Sequence, residues 1–257
     1  MYYPVQIPFV LNKEFSDAVT YSEQIIAAYR DFVICLWEMR PRTREKKVVE
    51  NIIITDGCID LVVDHDAGRI GFAGMSKTDF HYKLGLPAAS FGARLKPGAF
   101  YALTGIPASN VMDTFLPLAD FDAAFDAGTF FALPYAEAKV FFTDYIGRLI
   151  QGNATSAYTK LFDKWFDDIP ASVPEIYETL AFSPRQSQRL FYKHYGMTPQ
   201  TALCILRFQK CLGILVSDNA KPCDALNSAN YYDQAHFIKD FRRCIGITPS
   251  ELVRRYR

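Results

Sequence analysis

The sequence lacks the features that would place the protein in a membrane or outside the cell. No run approaches about 18 consecutive apolar residues, so we expect no transmembrane helix and no membrane partner. The N-terminus has no basic stretch followed by an apolar one, the pattern of a signal peptide, and we expect a cytoplasmic protein. Glycine and proline, 14 each in 257 residues, are too few for a collagen-like or low-complexity chain. Since 50% of the residues are hydrophobic and the formal net charge is zero, a disordered chain is also excluded.

Signatures of catalysis and of metal binding are missing as well. The six cysteines contain no CxxC pair, and no histidine lies at a zinc-finger spacing from two of them. The sequence contains no GxSxG, P-loop, HExxH or Gly-rich dinucleotide motif. Asp64-His65-Asp66 has the residue types of a metal site, but its position favours the solvated tip of a hairpin. We therefore predict no catalytic residue, no metal site and no cofactor.

The first part of the chain has the pattern of short strands. Residues 32–37, 51–55 and 58–63 are compact runs rich in strand-forming side chains. The pair Asp56-Gly57 between the last two runs predicts a tight hairpin, because a type I′ turn needs positive φ at both central residues. Further glycines punctuate the segments that follow, which predicts an antiparallel sheet or a small barrel.

The rest of the chain has a helical period. Apolar residues recur at helical spacing over 134–150 and 156–166, and short helices follow a break at 170–172. The predicted fold is therefore α+β. Three parts are expected: a β-rich regulatory or sensor domain over 1–120, a helical connector over 121–170 and an all-α domain over 171–257.

A repeat with an offset of fifty residues runs through the all-α part. Residues 182–199 align with 232–249, and four pairs are identical: Phe191 and Phe241, Gly196 and Gly246, Thr198 and Thr248, Pro199 and Pro249. Each copy predicts an N-cap residue, Ser183 or Asp233, then a helix of about three turns that ends at glycine.

Two helix-turn-helix units follow from this repeat. A short helix precedes each copy, at 174–180 and 222–227, and the long helix 198–216 joins the two pairs. A pair of short helices with a tight turn, the second of them basic outside, is typical of a DNA-binding unit. The alternative is a helical repeat used only for packing, which the polar and basic outer positions disfavour.

These residues resemble the AraC/XylS family of bacterial transcription regulators. The resemblance is carried by 183–191 and by 231–243, which runs into Gly246-Ile247-Thr248-Pro249-Ser250. It covers 171–257 and implies a sequence-specific regulator that binds double-stranded DNA, with RNA polymerase as a further partner. Weaker matches at 56–61, 91–99 and 105–108 resemble an uncharacterised sensor-type domain that often precedes this module.

The sequence departs from the family pattern in both turns. Ala181 and Asn230 stand where the family has glycine, and the family's turns require a left-handed backbone there. Alanine reaches that conformation at a cost, whereas asparagine visits it readily.

Helical spacing and side-chain chemistry predict which residues contact DNA. The predicted base-contacting residues are Arg185, Gln188, Arg189, Gln234, His236 and Lys239. The predicted phosphate-contacting residues are Lys193, Arg242 and Arg243. Arginine pairs with guanine and glutamine with adenine in the major groove, whereas phosphate contacts position the protein without reading sequence. For each residue singly, the alternative is a solvated surface side chain. His194 is expected at the helix end, near the negative end of the dipole.

Since the DNA-binding residues lie in the all-α part, we expect the β-rich part to bind a ligand or another subunit. Trp37 and Tyr82, with other aromatic residues, are predicted to line an apolar pocket in which Arg94 anchors an anion. The alternative is that these aromatic residues fill a small β core. We expect this domain to bind a small-molecule effector or a partner subunit, with a homodimer of the chain among the candidates. The competing function is an enzyme, for example of DNA repair or modification, that carries a helical DNA-binding appendage.

The zero net charge conceals two unlike regions. Residues 171–257 hold 12 Lys and Arg against 7 Asp and Glu, a net charge of +5. Residues 1–170 hold 16 against 21, a net charge of −5. The basic region is therefore suited to a nucleic acid although the whole chain is neutral.

Overall fold

The computed structural model describes residues 1–6, 13–76, 80–217, 225–226 and 228–256, apart from the side chains of Phe80 and Tyr256. The strands are β1 Val19–Gln24, β2 Val33–Pro41, β3 Lys47–Ile53, β4 Ile59–Asp64, β5 Arg69–Ala73, β6 Phe80–Leu86, β7 Ser90–Leu95 and β8 Phe115–Pro117. The helices are α1 Lys13–Ala18, α2 Ala99–Thr104, α3 Ala127–Ala132, α4 Tyr135–Gln151, α5 Ala157–Asp167, α6 Val173–Leu180, α7 Pro184–Tyr195, α8 Pro199–Leu215, α9 Gln234–Ile245 and α10 Pro249–Tyr256.

The strands form two sheets. Six of them make one antiparallel sheet in the order β1-β2-β7-β4-β5-β8, and β3 pairs with β6 in a separate antiparallel sheet. The helices from α4 onwards follow the sheets in the chain. The predicted α+β fold with an N-terminal antiparallel sheet is confirmed.

Alternation along the central strands gives the larger sheet two unlike faces. Leu61, Val63 and Phe91 point to one face, where they are buried in a cluster with side chains of α2 and α4. Asp60 and Arg94, which are register partners on β4 and β7, point to the other face because successive side chains of a strand alternate. One face therefore builds a hydrophobic core, and the other carries polar side chains.

The predicted hairpin at Asp56-Gly57 is wrong. The strand before it, β3, pairs with β6, whereas the strand after it, β4, pairs with β5 and β7. Gly57 has the positive φ of a turn (76°), but Asp56 does not. Instead the Asp56 carboxylate accepts from the Cys58 backbone N–H at 2.9 Å, and its carbonyl accepts from the Tyr2 hydroxyl at 2.5 Å. These contacts hold a crossover between the sheets, so tertiary packing overrides the local turn signal.

The helical predictions fare better. The helices expected at 134–150, 156–166 and 198–216 are confirmed as α4, α5 and α8. The helix expected at 222–227 lies largely outside the described residues, which show a helical turn at 225–226. The three-part division of the chain stays a prediction. Among the described helices, none combines the length and the hydrophobicity that a membrane span requires.

The N-terminal segment ties the β-rich part to the C-terminal helices. The backbone N–H of Tyr2 donates to Asp163 on α5 at 2.6 Å, and that of Val5 donates to the Gln209 side chain on α8 at 2.8 Å. The Gln209 amide in turn donates to the Thr55 carbonyl at 3.0 Å. Since Gln209 and Thr55 are buried, this hydrogen bond joins the two parts of the molecule away from water.

Candidate nucleic-acid interface and ligand cavity

The first helix-turn-helix unit consists of α6 and α7. Ala181, the residue after α6, has φ of 55°, so it adopts the left-handed backbone expected at this turn. The Ser183 hydroxyl accepts from the Gln186 backbone N–H at 3.3 Å, and the Gln186 side chain accepts from the Ser183 backbone N–H at 3.2 Å. Gly196, with φ of 69°, ends the helix. The predicted N-cap and glycine stop are confirmed, and together they fix the limits of α7.

One face of α7 is exposed and rich in hydrogen-bond donors. Arg185, Gln188 and Arg189 are exposed, whereas Phe191 is buried in the core. Positions i, i+3 and i+4 share one helical face, so the three polar side chains form a single stripe. The structure thus brings together the predicted base-contacting residues of the first unit, and their contact with DNA stays a prediction.

The second unit repeats this local structure around α9. Asn230 has φ of 53°, and its side-chain amide donates to the Ile169 carbonyl at 2.8 Å. The Asp233 carboxylate accepts from the His236 backbone N–H at 2.7 Å and caps the helix, which ends at Gly246 with φ of 77°. The second predicted N-cap and glycine stop are therefore confirmed.

The exposed face of α9 differs from that of α7. Gln234, Lys239, Arg242 and Arg243 are exposed. A shallow depression on this helix is lined by Ala235, Ile238, Lys239, Arg242 and Arg243. At the offset of fifty, Ala235 takes the place of Arg185 and Ile238 that of Gln188. The exposed face of α9 therefore combines the apolar side chains of Ala235 and Ile238 with cations at the rim of the depression. The exposed face of α7 carries polar hydrogen-bond donors instead.

His236 is engaged inside the second unit. Its Nε2 lies 3.2 Å from the Asp240 carboxylate one turn later, and its ring lies edge-on to Tyr231 at 5.2 Å. The equivalent residue of the first unit, Gln186, is used for helix capping. Because this position serves local structure in both copies, the geometry argues against the predicted base contact of His236.

The two recognition helices present no acidic side chain to solvent. The sequence of α7 contains no Asp or Glu, and the acid of α9, Asp240, is buried. Within the described residues, the exposed cations of these helices form no ion pair with a carboxylate. Their positive charges are therefore available to an anionic partner.

Residues 177–255 match the family model described as a helix-turn-helix domain. The chain carries an AraC-type helix-turn-helix domain. The match spans both units and confirms the family resemblance that the repeat carries. Residues 27–117 match a domain of unknown function (DUF6597), which contains all strands from β2 to β8.

A bacterial transcriptional regulator is similar to the chain in sequence. The chain is 25% identical over 122 residues to YidL, an uncharacterized HTH-type transcriptional regulator of Escherichia coli (strain K12). The match covers 48% of this chain and 38% of YidL, so the chain spans well under half the length of this curated relative.

Crystal structures of ToxT from Vibrio cholerae are also similar. An apo variant from strain SCE256 is 12% identical, with a TM-score of 0.43 over 93% of this chain and 97% of that one. ToxT from strain O395 is 12% identical, with a TM-score of 0.42 over 82% and 97%. A wild-type ToxT structure with bound unsaturated fatty acid is 10% identical, with a TM-score of 0.40 over 92% and 93%.

The C-terminal end of α7 packs against residues that precede the AraC-type domain. The His194 ring stacks on Tyr158, with centroids 3.7 Å apart, and meets Tyr101 edge-on at 4.7 Å. Burial, together with the positive charge of Lys193, lowers the pKa of His194 to about 4. As expected, His194 lies in the last turn of α7, but its ring is buried and uncharged at neutral pH. Lys193, a predicted phosphate contact, holds its ammonium 4.6 Å from the centre of the Tyr101 ring.

A cavity of about 450 Å³ lies between the polar face of the six-stranded sheet and the β3–β6 sheet. Trp37, Tyr82 and Arg94 all line it, so the structure brings the three predicted ligand-binding residues together. Gly92 lets the indole of Trp37 lie across β7, since a Cβ at Gly92 would come within 2.6 Å of the ring. The ligand itself stays a prediction.

Arg94 is surrounded by carboxylates. Its guanidinium lies 3.0 Å from Glu23, 3.5 Å from Asp60 and 3.6 Å from Asp56. These three carboxylates more than offset the charge of Arg94 and argue against the predicted anion anchor. Burial raises the pKa of Asp60 to about 7; Arg94 opposes this rise, and Asp56 and Glu23 reinforce it. Sequence reasoning missed these acids, although polar residues alternating with apolar ones along β4 were a usable signal.

The cysteines of the described part are structural. They are buried and form no disulfide: Cys35, Cys58, Cys204, Cys211 and Cys244. Cys223 lies outside the described residues. Across the described ranges, no three His, Cys, Asp or Glu side chains are grouped so that they could hold a metal ion. His65, at the turn between β4 and β5, places its Nε2 3.1 Å from the Leu133 carbonyl.

Proposed function

We propose that the protein is a sequence-specific DNA-binding regulator of transcription without catalytic activity of its own. The observation that carries this proposal is the pair of recognition helices, α7 and α9, whose exposed side chains are neutral or basic and include no acid. The match to the AraC-type domain and the name of YidL as a transcriptional regulator support it.

The two helices divide the work of recognition in this proposal. On α7, Arg185 and Arg189 pair with guanine and Gln188 pairs with adenine in one major groove. On α9, Gln234 and Lys239 reach base edges of the next groove, about 34 Å further along the same face of the DNA. Apolar side chains of the depression on α9 contact thymine methyl groups there.

Phosphate contacts hold this arrangement on the duplex. Arg242 and Arg243 lie on the rim of the depression and are free to meet the backbone of the second groove. Lys193 is exposed beside the Tyr101 ring and meets the backbone of the first. Contacts of this kind set the register of a protein on DNA and make its affinity strongly dependent on salt.

The experiment that tests this function selects bound fragments from random DNA with the purified chain, followed by footprinting at a stated salt concentration. The expected result is one non-palindromic site per chain, with protection of two successive major grooves. Protection of a single groove would exclude docking by both helices. Retention of all sequences equally at moderate salt would exclude sequence-specific binding altogether.

The β-rich part is proposed to modulate DNA binding when it takes an effector. Two connections support this role. The ring stack of His194 on Tyr158 and Tyr101 holds the end of α7, and the hydrogen bond from Gln209 to Thr55 joins α8 to the wall of the ligand cavity. A change of cavity shape can therefore reach the helix that spaces the two units. A homodimer through the β-rich part and a contact with RNA polymerase stay predictions.

A further inference from the structure

The inner end of the ligand cavity carries an excess of negative charge. Around the single guanidinium of Arg94 stand the carboxylates of Glu23, Asp56 and Asp60, all within 3.6 Å of it. One positive charge cannot balance three carboxylates that water reaches only in part. Elsewhere on the wall, the carboxylate of Asp64 has a cation, Arg69, as its register partner on β5.

Polar atoms on the cavity wall lack hydrogen-bond partners within the described part of the chain. They are Asn51 Oδ1, Thr55 Oγ1 and Ser90 Oγ, while Asp60 Oδ1 and Arg94 Nε face each other at 3.5 Å as an ion pair without forming a hydrogen bond. Asn51, Thr55 and Ser90 are each only 3% exposed, so bulk water does not replace the missing partners. Buried polar groups are nearly always paired in folded proteins. The carboxylate and amide oxygens among these atoms call for a partner that donates hydrogen bonds.

The rest of the cavity wall and the cavity volume indicate what kind of molecule carries these hydrogen-bond donors. Apolar side chains make up most of the wall, among them Trp37, Met39, Ile54 and Met75. The volume of about 450 Å³ is far larger than a bare ion needs, and no three His, Cys, Asp or Glu side chains of the described residues are placed so that they could hold a metal ion. An organic molecule with an apolar body fits this space, and the face of the Trp37 indole suits a neighbouring positive charge.

We propose that the cavity binds a small organic cation, an amine on an apolar body, with its ammonium group at Asp60 and its body against Trp37. The ammonium supplies the missing positive charge and donates to the unpaired oxygens of the wall. The raised pKa of Asp60, about 7 through burial, is the response expected of a carboxyl group that lacks this partner. The inference depends on the proposed function only in treating the amine as an effector.

The test uses three probes of one shape and different charge: 2-phenylethylamine, 2-phenylethanol and phenylacetate. The sequence holds two tryptophans, so a Trp165→Phe chain excited at a wavelength selective for tryptophan reports on Trp37 in the cavity alone. Calorimetry on the wild-type chain repeats each titration in case the Trp165→Phe chain folds poorly. Asp60→Asn removes the proposed partner charge, and Asp31→Asn, at an exposed acid outside the cavity, is the matched control.

We expect saturable binding in the order amine, alcohol, carboxylate. Asp60→Asn should weaken amine binding about tenfold or more while changing the binding of the alcohol little, and Asp31→Asn should change neither. Binding of phenylacetate at least as tight as that of the amine, or no saturable binding of any probe at millimolar concentration, would overturn the proposal. All titrations are made without DNA, so their failure leaves the DNA-binding function untouched.

Discussion

The two helix-turn-helix units share one local structure but sit in different surroundings. At the offset of fifty, His194 of the first unit corresponds to Cys244 of the second. His194 is stacked on Tyr158, whereas the Cys244 sulfur lies 3.8 Å from that of Cys204 on α8. The first unit is therefore held by residues that precede the AraC-type domain, and this end of the second is held by the domain's own linking helix. A repeat can thus keep its backbone while its two copies acquire separate roles, one coupled to the β-rich part.

The largest expected difference between the units is in their response to acid. Burial holds the pKa of His194 at about 4 in the folded chain, below the ordinary value of about 6.5 that applies when the chain is unfolded. Between these values the unfolded state binds more protons. The stability from His194 is therefore complete above about pH 6.5 and is lost as the pH falls towards 4, by at most about 3 kcal/mol.

Urea unfolding at pH 7 and pH 4.5 measures this difference. In His194→Phe, which keeps a ring between Tyr158 and Tyr101, the loss of unfolding free energy on acidification should shrink by about 1–3 kcal/mol. His236→Gln changes the histidine of the second unit and serves as the matched control. An identical acid response in the wild-type chain and in His194→Phe would show that the histidine at the interface does not couple protonation to folding.

The next difference concerns the recognition surfaces. Arg189→Ala removes an exposed donor from the polar stripe of α7 and should weaken binding to the selected DNA site by about 1–3 kcal/mol, with relaxed preference at one base pair. The equivalent change on α9, Lys239→Ala, should cost about 1 kcal/mol or less, because the floor beside Lys239 is apolar. Titrations of labelled DNA at fixed salt compare the two, and Arg30→Ala, at an exposed cation far along the chain, is the control. Equal losses at the two positions would mean that both helices read bases to the same extent.

The different surroundings of His194 and Cys244 could not be predicted from the sequence, although the helices that carry them could. The repeat predicted both recognition helices, with their N-caps at Ser183 and Asp233 and their glycine stops, because capping and left-handed termination are set by residues within a few positions. The burial of His194 depends on Tyr101 and Tyr158, which are distant in sequence, so no local pattern contains it. For the same reason the sequence predicted the position of His194 at the helix end but not the burial of its ring.

In the β-rich part, too, local sequence patterns did not predict contacts between residues that are distant in the chain. Composition predicted three strand runs, 32–37, 51–55 and 58–63, which overlap β2, β3 and β4. Pairing is a long-range property, and the Asp56-Gly57 signal named the wrong partner for β4. The three residues expected to bind a ligand do line one cavity, yet the charge of that cavity was misjudged. Arg94 was identified in isolation, while its carboxylate neighbours come from β1, from the crossover before β4 and from β4 itself.

The smallest expected difference lies in the two turns. Ala181 and Asn230 both have φ near 55°, at 55° and 53°, but only asparagine tolerates this backbone at little cost. Ala181→Gly should therefore stabilise the chain by about 0.5–1 kcal/mol, the relief of strain less the extra entropy of glycine in the unfolded state. Asn230→Gly relieves little strain and removes the 2.8 Å hydrogen bond to the Ile169 carbonyl, so it should destabilise by about 1 kcal/mol. Opposite signs in urea unfolding at pH 7 are the result expected; a loss of stability in Ala181→Gly would mean that the methyl group of Ala181 contributes more than its strained backbone costs.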